Sequence, residues 1–447
     1  MKKVPVLAGS WPIVGHLFQF RKNPLAFILD AKQKHGDIIR LNLAGKPVYI
    51  LSDPALIHEV LVVQAKSFHK SRALKLAKML LGEGLLTSEG EHHLRQRRMM
   101  APAFHRKKIM DYGLVMSGEA HKFSGNLQAG ANINLHDAMM QLTLAIVART
   151  LFDADVAGDA REVGSALHDA LSLFERVSNP FAPLLAKLPL PATRKLNRAR
   201  ERLFRVIDRI IREHEGVDRG DLLSMLLAAV DEEDNSKMSL EQVRDEALTL
   251  FLAGHETTAN ALTWAFYLLA KHPQVRHKLQ EEADRVAKDG APISPEQIAS
   301  LPYARDVFQE SLRLYPPAWL IGRSAMADVT LGEWDIAQGS IILMSQFAVH
   351  RDERWFAEPL SFRPERWQEP SDRPKFAYFP FGGGPRTCIG DQFAWMEGTL
   401  LLAEISRHWE FEPLEETLDP EPLITLRPRG GLPVKCVARN GNVARQQ

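Results

Sequence analysis

The sequence predicts a mainly α-helical fold with a small β region, on three observations. Apolar residues recur at three- and four-residue spacing in Leu135 to Phe152, Leu196 to Ile211 and Leu222 to Val230, the pattern of helices with one buried face. A still longer helix candidate runs from Ser239 to Lys271, on the order of 48 Å at 1.5 Å per residue, enough to cross a whole domain. Strand-like runs are short and gather near the start, at Ile38 to Leu43 and Val48 to Leu51. With no repeat and no sharp composition break, residues 1–447 are expected to form a single domain.

The elements follow in order. Pro5 to Gly15 reads as an extended lead-in. Asn23 caps a helix that Pro24 opens and Gly36 stops after His35. The two strands flank Ala44-Gly45-Lys46-Pro47, a hairpin-turn composition. Beyond Pro54 the pattern is helical. Asn179 to Pro191 carries four prolines among apolar residues and is no continuous helix; it reads as an apolar lid, with a domain linker as the alternative. Ser239 and Gln242 form a capping box for the long helix, and His272-Pro273 ends it. At its centre Ala253-Gly254-His255-Glu256-Thr257-Thr258 is a weak point. Glycine there costs about 1 kcal/mol relative to alanine, and threonines bond back to carbonyls.

Composition narrows the function. Lys plus Arg number 56 against 55 Asp plus Glu, a net charge of +1, so no global field points to nucleic acid. The chain is 45% hydrophobic, which supplies a core and excludes disordered and fibrous classes. Cys388 and Cys436 are too few for a disulfide framework, which fits a reducing, cytoplasmic setting. No apolar run reaches the length of a membrane span.

The sharpest local signal is Phe381-Gly382-Gly383-Gly384-Pro385-Arg386-Thr387-Cys388-Ile389-Gly390. Three glycines let backbone approach a flat surface, and a lone cysteine stands at the start of a helix read from Ile389 to Arg407. Helix-start amides would lower the pKa of its thiol. On pattern alone this is either a thiolate site or a glycine-rich turn with a buried cysteine. A phosphate loop is disfavoured, because neither phosphate-loop spacing is present.

This segment matches FxxGxRxCxG in full, and the sequence resembles the cytochrome P450 family, the heme-thiolate monooxygenases. The resemblance implies the P450 fold, with the long central helix lying over a heme b. It makes Cys388 the thiolate ligand of the iron, with Phe381 packed near the sulfur, Gly390 completing the loop and Arg386 paired with a heme propionate. Glu310 and Arg313 form ExxR, and Arg366 in Phe362-Arg363-Pro364-Glu365-Arg366-Trp367 completes a structural cluster with them. The centre of the long helix matches AGxETT, so Ala253 and Gly254 leave space over the heme. Glu256 and Thr257 serve as the acid and alcohol of proton supply to dioxygen. A zinc helix is excluded, because HExxH needs histidine where Ala259 stands.

His93 and Arg97 have the spacing of a propionate-binding pair, although a one-residue slip to a neighbour in Glu91 to Arg98 is open. Arg323 matches another propionate arginine. Ala253, Ala318, Trp319 and Ile424 would border the substrate space, and apolar residues in Leu74 to Leu86, Leu171 to Leu190 and Ala318 to Ile321 give it a hydrophobic character. Cys436 is taken as structural.

The implied activity is insertion of one oxygen atom from O2 into a lipophilic small molecule by C–H hydroxylation or epoxidation. A fatty acid, a terpenoid or steroid, and a polyketide-like metabolite are all open, and the lack of an obvious basic pocket residue weakly disfavours a substrate that requires its carboxylate to be held. Electrons would come from a separate ferredoxin or flavodoxin-type donor with its reductase, since no fused reductase or membrane anchor is seen, and a monomer is expected. Arg95, Arg98 and the loop around Cys388 are candidates for the donor's docking face. A peroxide-dependent heme-thiolate enzyme and a non-catalytic heme sensor or binding protein are the alternatives, and the intact Glu256-Thr257 pair argues against both.

Overall fold

The computed structural model describes residues 2–154, 166, 191–231, 235–287 and 290–439. Most of the proline-rich stretch, and the apolar run Leu171 to Leu190, lie outside them. The element types read from the sequence are present. Pro24–His35 is a helix whose N-cap, Asn23, accepts from the Ala26 amide, and Gly36 ends it at φ 87°. Leu135–Phe152 is helical over the predicted span. The periodic run at Leu196 extends to Pro191–His214, while the next is shorter, Leu222–Ala228.

The long helix is Leu240–Lys271, 32 residues, and both halves of its capping box are made. It packs most extensively on Leu135–Phe152. It also contacts Pro302–Leu314, the ExxR helix, and Asp391–His408, the helix that follows the cysteine loop. Apolar residues from these helices form one large core around Trp264, which is fully buried.

The β region is larger than the sequence pattern indicates. Ile38–Leu43 (β1) and Lys46–Leu51 (β2) form the expected hairpin, but the turn is only Ala44-Gly45, both at positive φ, and Lys46 and Pro47 belong to the second strand. Phe68–Lys70 (β3), Ile321–Ala325 (β4) and Ile341–Met344 (β5) join them in the order β1-β2-β5-β4-β3. β2 and β5 pair in parallel across almost three hundred residues of sequence, which no local pattern announces. Asn132–Asn134, Pro433–Ala438 and Trp409–Pro413 form a separate three-stranded sheet, where Cys436 is fully buried opposite Phe411 and has a structural role.

Candidate active site

From Asp245 to Phe266 every residue of the long helix is buried except Ala253, Gly254 and Thr257. These three share one face of the helix at i, i+1 and i+4. They leave one open face in the middle of a helix buried on its other sides. Gly254 contributes in a different way from the one expected. A Cβ there would lie 2.9 Å from Val147 Cγ2, so the missing side chain lets the long helix press against Leu135–Phe152. The open position is Ala253. Thr257 donates its hydroxyl proton to the Ala253 carbonyl at 2.7 Å, which leaves the hydroxyl oxygen as an acceptor.

Glu256 is buried and turned toward the C-terminal hairpin, in which Pro420–Pro422 pairs with Leu426–Pro428. Burial raises its pKa, opposed by the Thr425 hydroxyl and by the charges of Arg427 and His136. The polar contacts form a directed chain: His136 Nε2 donates to Asn260 Oδ1 at 3.0 Å, Asn260 Nδ2 donates to Thr425 Oγ1 at 3.1 Å, and Thr425 donates to Glu256 Oε1 at 2.6 Å. None of Thr425, Asn260 and His136 stands out in the sequence.

The same hairpin is anchored by two indoles. Trp264 Nε1 donates to the Leu426 carbonyl at 3.1 Å and Trp319 Nε1 to the Leu423 carbonyl at 3.0 Å. Trp319 is therefore buried beside the N-terminal sheet, in a cluster with Leu25, Ile28 and Phe347. Ala318 is half-buried, whereas Ile424 at the hairpin tip is 45% exposed.

The cysteine loop closes on itself. The Cys388 amide donates to the Phe381 carbonyl and the Thr387 amide to that of Gly384, each at 3.0 Å, and Arg97 clasps the loop by donating to the Thr387 carbonyl at 2.7 Å. Gly384 sits at φ 68°, where a Cβ would fall 1.9 Å from the Leu61 carbonyl oxygen, so glycine is required. Phe381 packs on Trp395 with ring centroids 5.6 Å apart. The following helix begins at Asp391, just beyond Gly390. The Cys388 side chain is accessible yet enclosed by protein, and burial pushes its thiol up to about 11, outweighing the Gly390 amide and Arg97. The expected depression by helix-start amides is thus reversed by desolvation.

Around one side of the loop lies a concentration of cations. In Gly90–Met100, His93 is buried and Arg97 half-buried, while His92 is less buried than His93 and Arg98 is exposed. Arg323 on β4 stands directly opposite Lys70 on β3. Burial lowers Lys70 to about 7 and Arg323 to about 10, and Arg386 adds to both shifts. Burial, followed by Arg386 and Lys70, lowers His93 to about 3. Among the described residues Glu89 is the one carboxylate in contact with Arg386, whose guanidinium also donates to the Ser88 carbonyl at 2.8 Å. His93 Nδ1 donates to the Leu85 carbonyl at 3.2 Å; its buried Nε2 makes no well-formed hydrogen bond among the described residues, and the carbonyls of Leu85 and Pro385 favour the protonated ring. Lys70, which the sequence reading missed, donates to the carbonyls of Leu85 and Ser88 at 2.9 and 3.0 Å. Arg95 and Arg98 are both engaged by Asp231, which withdraws part of the proposed basic docking face.

Behind this site, Glu310 is completely buried and fully used. Arg313 donates to its two oxygens at 2.9 and 2.8 Å, Arg366 Nε donates at 2.9 Å, and the Arg363 amide and Trp367 Nε1 each donate at 3.0 Å. Arg313 also reaches the carbonyls of His350, Pro359 and Ser361, and Arg366 that of Ala357. One buried carboxylate and two guanidiniums thereby pin the irregular segment that leads to the cysteine loop.

The family model for cytochrome P450 matches residues 5–433, nearly the whole chain. The chain belongs to the cytochrome P450 family. This P450 is 39% identical over 429 residues to cyclooctatin synthase of Streptomyces melanosporofaciens, covering 94% of this chain and 93% of that one. It is 36% identical to cyclooctat-9-en-7-ol 5-monooxygenase of the same organism, covering 96% of this chain and 94% of that protein. To pentalenene oxygenase of Streptomyces avermitilis the identity is 33%, covering 90% of each chain. It is an oxidoreductase of the P450 monooxygenase class, which uses heme iron, O2 and electrons from a redox partner on lipophilic substrates. No helix among its described residues is long and apolar enough to cross a membrane.

The residues fit a heme. The accessible, enclosed Cys388 offers a soft thiolate donor, which a metal deprotonates outright. The cations Lys70, Arg97, Arg323 and Arg386 outnumber the carboxylates near them, Glu89 and Glu246, and two propionates would supply the missing anions, while burial keeps His93 neutral. The orphaned His93 Nε2 becomes a donor when a carboxylate restores its proton.

Proposed function

We propose that this P450 is a single heme domain that hydroxylates or epoxidises a cyclic terpenoid, using heme b and electrons from a ferredoxin or flavodoxin-type donor, as a monomer. The observation that carries the site assignment is the pairing of an enclosed, accessible Cys388 with an under-neutralised cluster of buried cations. The terpenoid class rests on the three relatives, two of which carry a terpenoid substrate in their names, and on the apolar character of the open helix face at Ala253.

In this reading Cys388 holds the iron, while His93, Arg97, Arg323 and Arg386 hold the propionates. When bound, the heme supplies dioxygen activation and the oxidising power for attack on an unactivated carbon. The protein positions, dries and protonates. Ala253 and Ile424 border the substrate and exclude water. Thr257, its own proton committed to the Ala253 carbonyl, presents an oxygen that would accept a hydrogen bond from water in the site. Glu256 stores a proton, because burial favours its neutral form, and Thr425 fixes which oxygen stays an acceptor.

The test is the absorption spectrum of the dithionite-reduced protein with carbon monoxide, followed by titration with cyclic diterpenes, sesquiterpenes, fatty acids and macrolides. A strongly red-shifted Soret band and a low-to-high-spin change with terpenes alone are expected. Histidine-type or thiol-type ligation in intact protein, or a spin change with fatty acids alone, overturns the corresponding part of the proposal.

A further inference from the structure

Away from the heme cleft, His121, Glu404 and His408 come together where the helix Arg106–Asn126 packs against Asp391–His408. One donor atom from each lies within 4.8 Å of the others, and this is the one such group among the described residues. Glu404 and His408 stand at i and i+4 on one helix, and His121 faces them from the other.

The distances match a particular chemistry. Glu404 Oε1 lies 2.9 Å from His121 Nδ1 and 3.3 Å from His408 Nε2. Ligand atoms on a tetrahedral zinc at 2.0–2.1 Å are separated by about 3.3 Å. The second carboxylate oxygen is held apart from this work: Glu404 Oε2 accepts from Arg407 Nη1 at 3.0 Å and from the Ile293 amide at 3.1 Å. Arg407 in turn is fixed by the carbonyls of Ala291 and Ala287 at 3.0 and 3.1 Å. The carboxylate therefore has one oxygen oriented by an outer set of donors and one aimed between two imidazoles, as metal-binding carboxylates are arranged. His121 is 43% exposed and leaves a route for solvent and a fourth, water ligand.

We propose that His121, Glu404 and His408 form a site for a divalent transition cation, zinc by geometry and donor set, which ties the C-terminal end of Asp391–His408 to Arg106–Asn126. The ion replaces the imidazole protons that now point at Glu404 Oε1. Its place is the far end of the helix from Cys388, so it acts on the fold rather than on the reaction.

The test uses the heme-loaded full chain, stripped with a chelator, dialysed against micromolar zinc chloride and analysed for metal, beside His121→Gln and His408→Gln. The heme absorption of each variant reports that its fold is intact, and His121→Gln changes a half-exposed side chain. Wild type is expected to retain about one zinc per chain more than either variant, and zinc is expected to raise the melting temperature of wild type alone. Equal zinc retention in all three proteins, or an equal thermal shift, overturns the proposal.

Discussion

At the scale of single residues, the acid on the long helix is governed by partners distant in sequence. Thr425 donates to Glu256 at 2.6 Å, and Asn260 and His136 set the direction of that hydrogen bond. A hydrogen bond to a charged group is worth about 1.5–3 kcal/mol. Thr425→Val is therefore expected to raise the Glu256 pKa further and slow proton release by about tenfold or more, with heme content unchanged. Product formed per NADPH consumed is the measurement, and a drop with added peroxide is the expected result. Thr257→Ala is expected to keep heme and the thiolate spectrum while diverting electrons to peroxide; fully coupled turnover would remove Thr257 from proton supply. Cys388→Ser is expected to abolish the red-shifted carbon monoxide band.

At the scale of elements, two buried carboxyl groups are held in opposite charge states. Glu310 receives five donors from two segments, its own helix and residues 363–367, so truncation leaves two buried guanidiniums uncompensated, a loss of about 3–5 kcal/mol. Glu310→Ala is expected to yield little heme-loaded protein, and Arg366→Lys to lower the melting temperature less. Glu397 lies completely buried in Asp391–His408 with Thr258 of the long helix in reach, but that hydroxyl's proton goes to the Gly254 carbonyl at 3.3 Å. Neither carboxyl oxygen of Glu397 makes a well-formed hydrogen bond among the described residues, and burial, opposed by the nearby Thr258 hydroxyl, pushes its pKa up to about 8. Glu246 is likewise raised to about 8 by burial.

The unfolded carboxyl ionises near 4.3, while the folded group keeps its proton up to about 8. The stability each contributes is complete below the unfolded value and is lost as pH rises through this window. Melting temperature is expected to fall between pH 5 and 8, and Glu397→Gln to flatten that fall by on the order of a few degrees. An unchanged slope in the variant would mean that Glu397 is ionised in the native state.

At the scale of the whole molecule, the helical core and the small sheet meet at the cation cluster. Lys70 and Arg323 come from adjacent strands, His93 and Arg97 from one helix, and Arg386 from the cysteine loop. Glu89 relieves only part of the mutual repulsion among Lys70, Arg97, Arg323 and Arg386. Heme removal is therefore expected to destabilise the protein by more than the loss of apolar burial alone, and high salt to recover part of that difference by screening. Thermal melting of apo and holo protein across ionic strength measures it.

The motifs legible in the sequence are those that local sterics and short-range hydrogen bonds dictate. The caps at Asn23 and Ser239, the required glycine at 384, the i,i+3 pairing of Glu310 with Arg313 and the span Leu135–Phe152 each depend on residues a few positions apart. The partner Arg366 was legible only through the family motif. What the tertiary structure alone decided joins residues a hundred or more apart: the parallel pairing of β2 with β5, the Thr425–Glu256 contact, the filling of the Gly254 notch by Val147, and the meeting of His121 with Glu404. Desolvation belongs to the same class. It reversed the expected direction for the Cys388 thiol, because the free energy of a charge depends on all the atoms packed around it, and sequence neighbours are a minority of those.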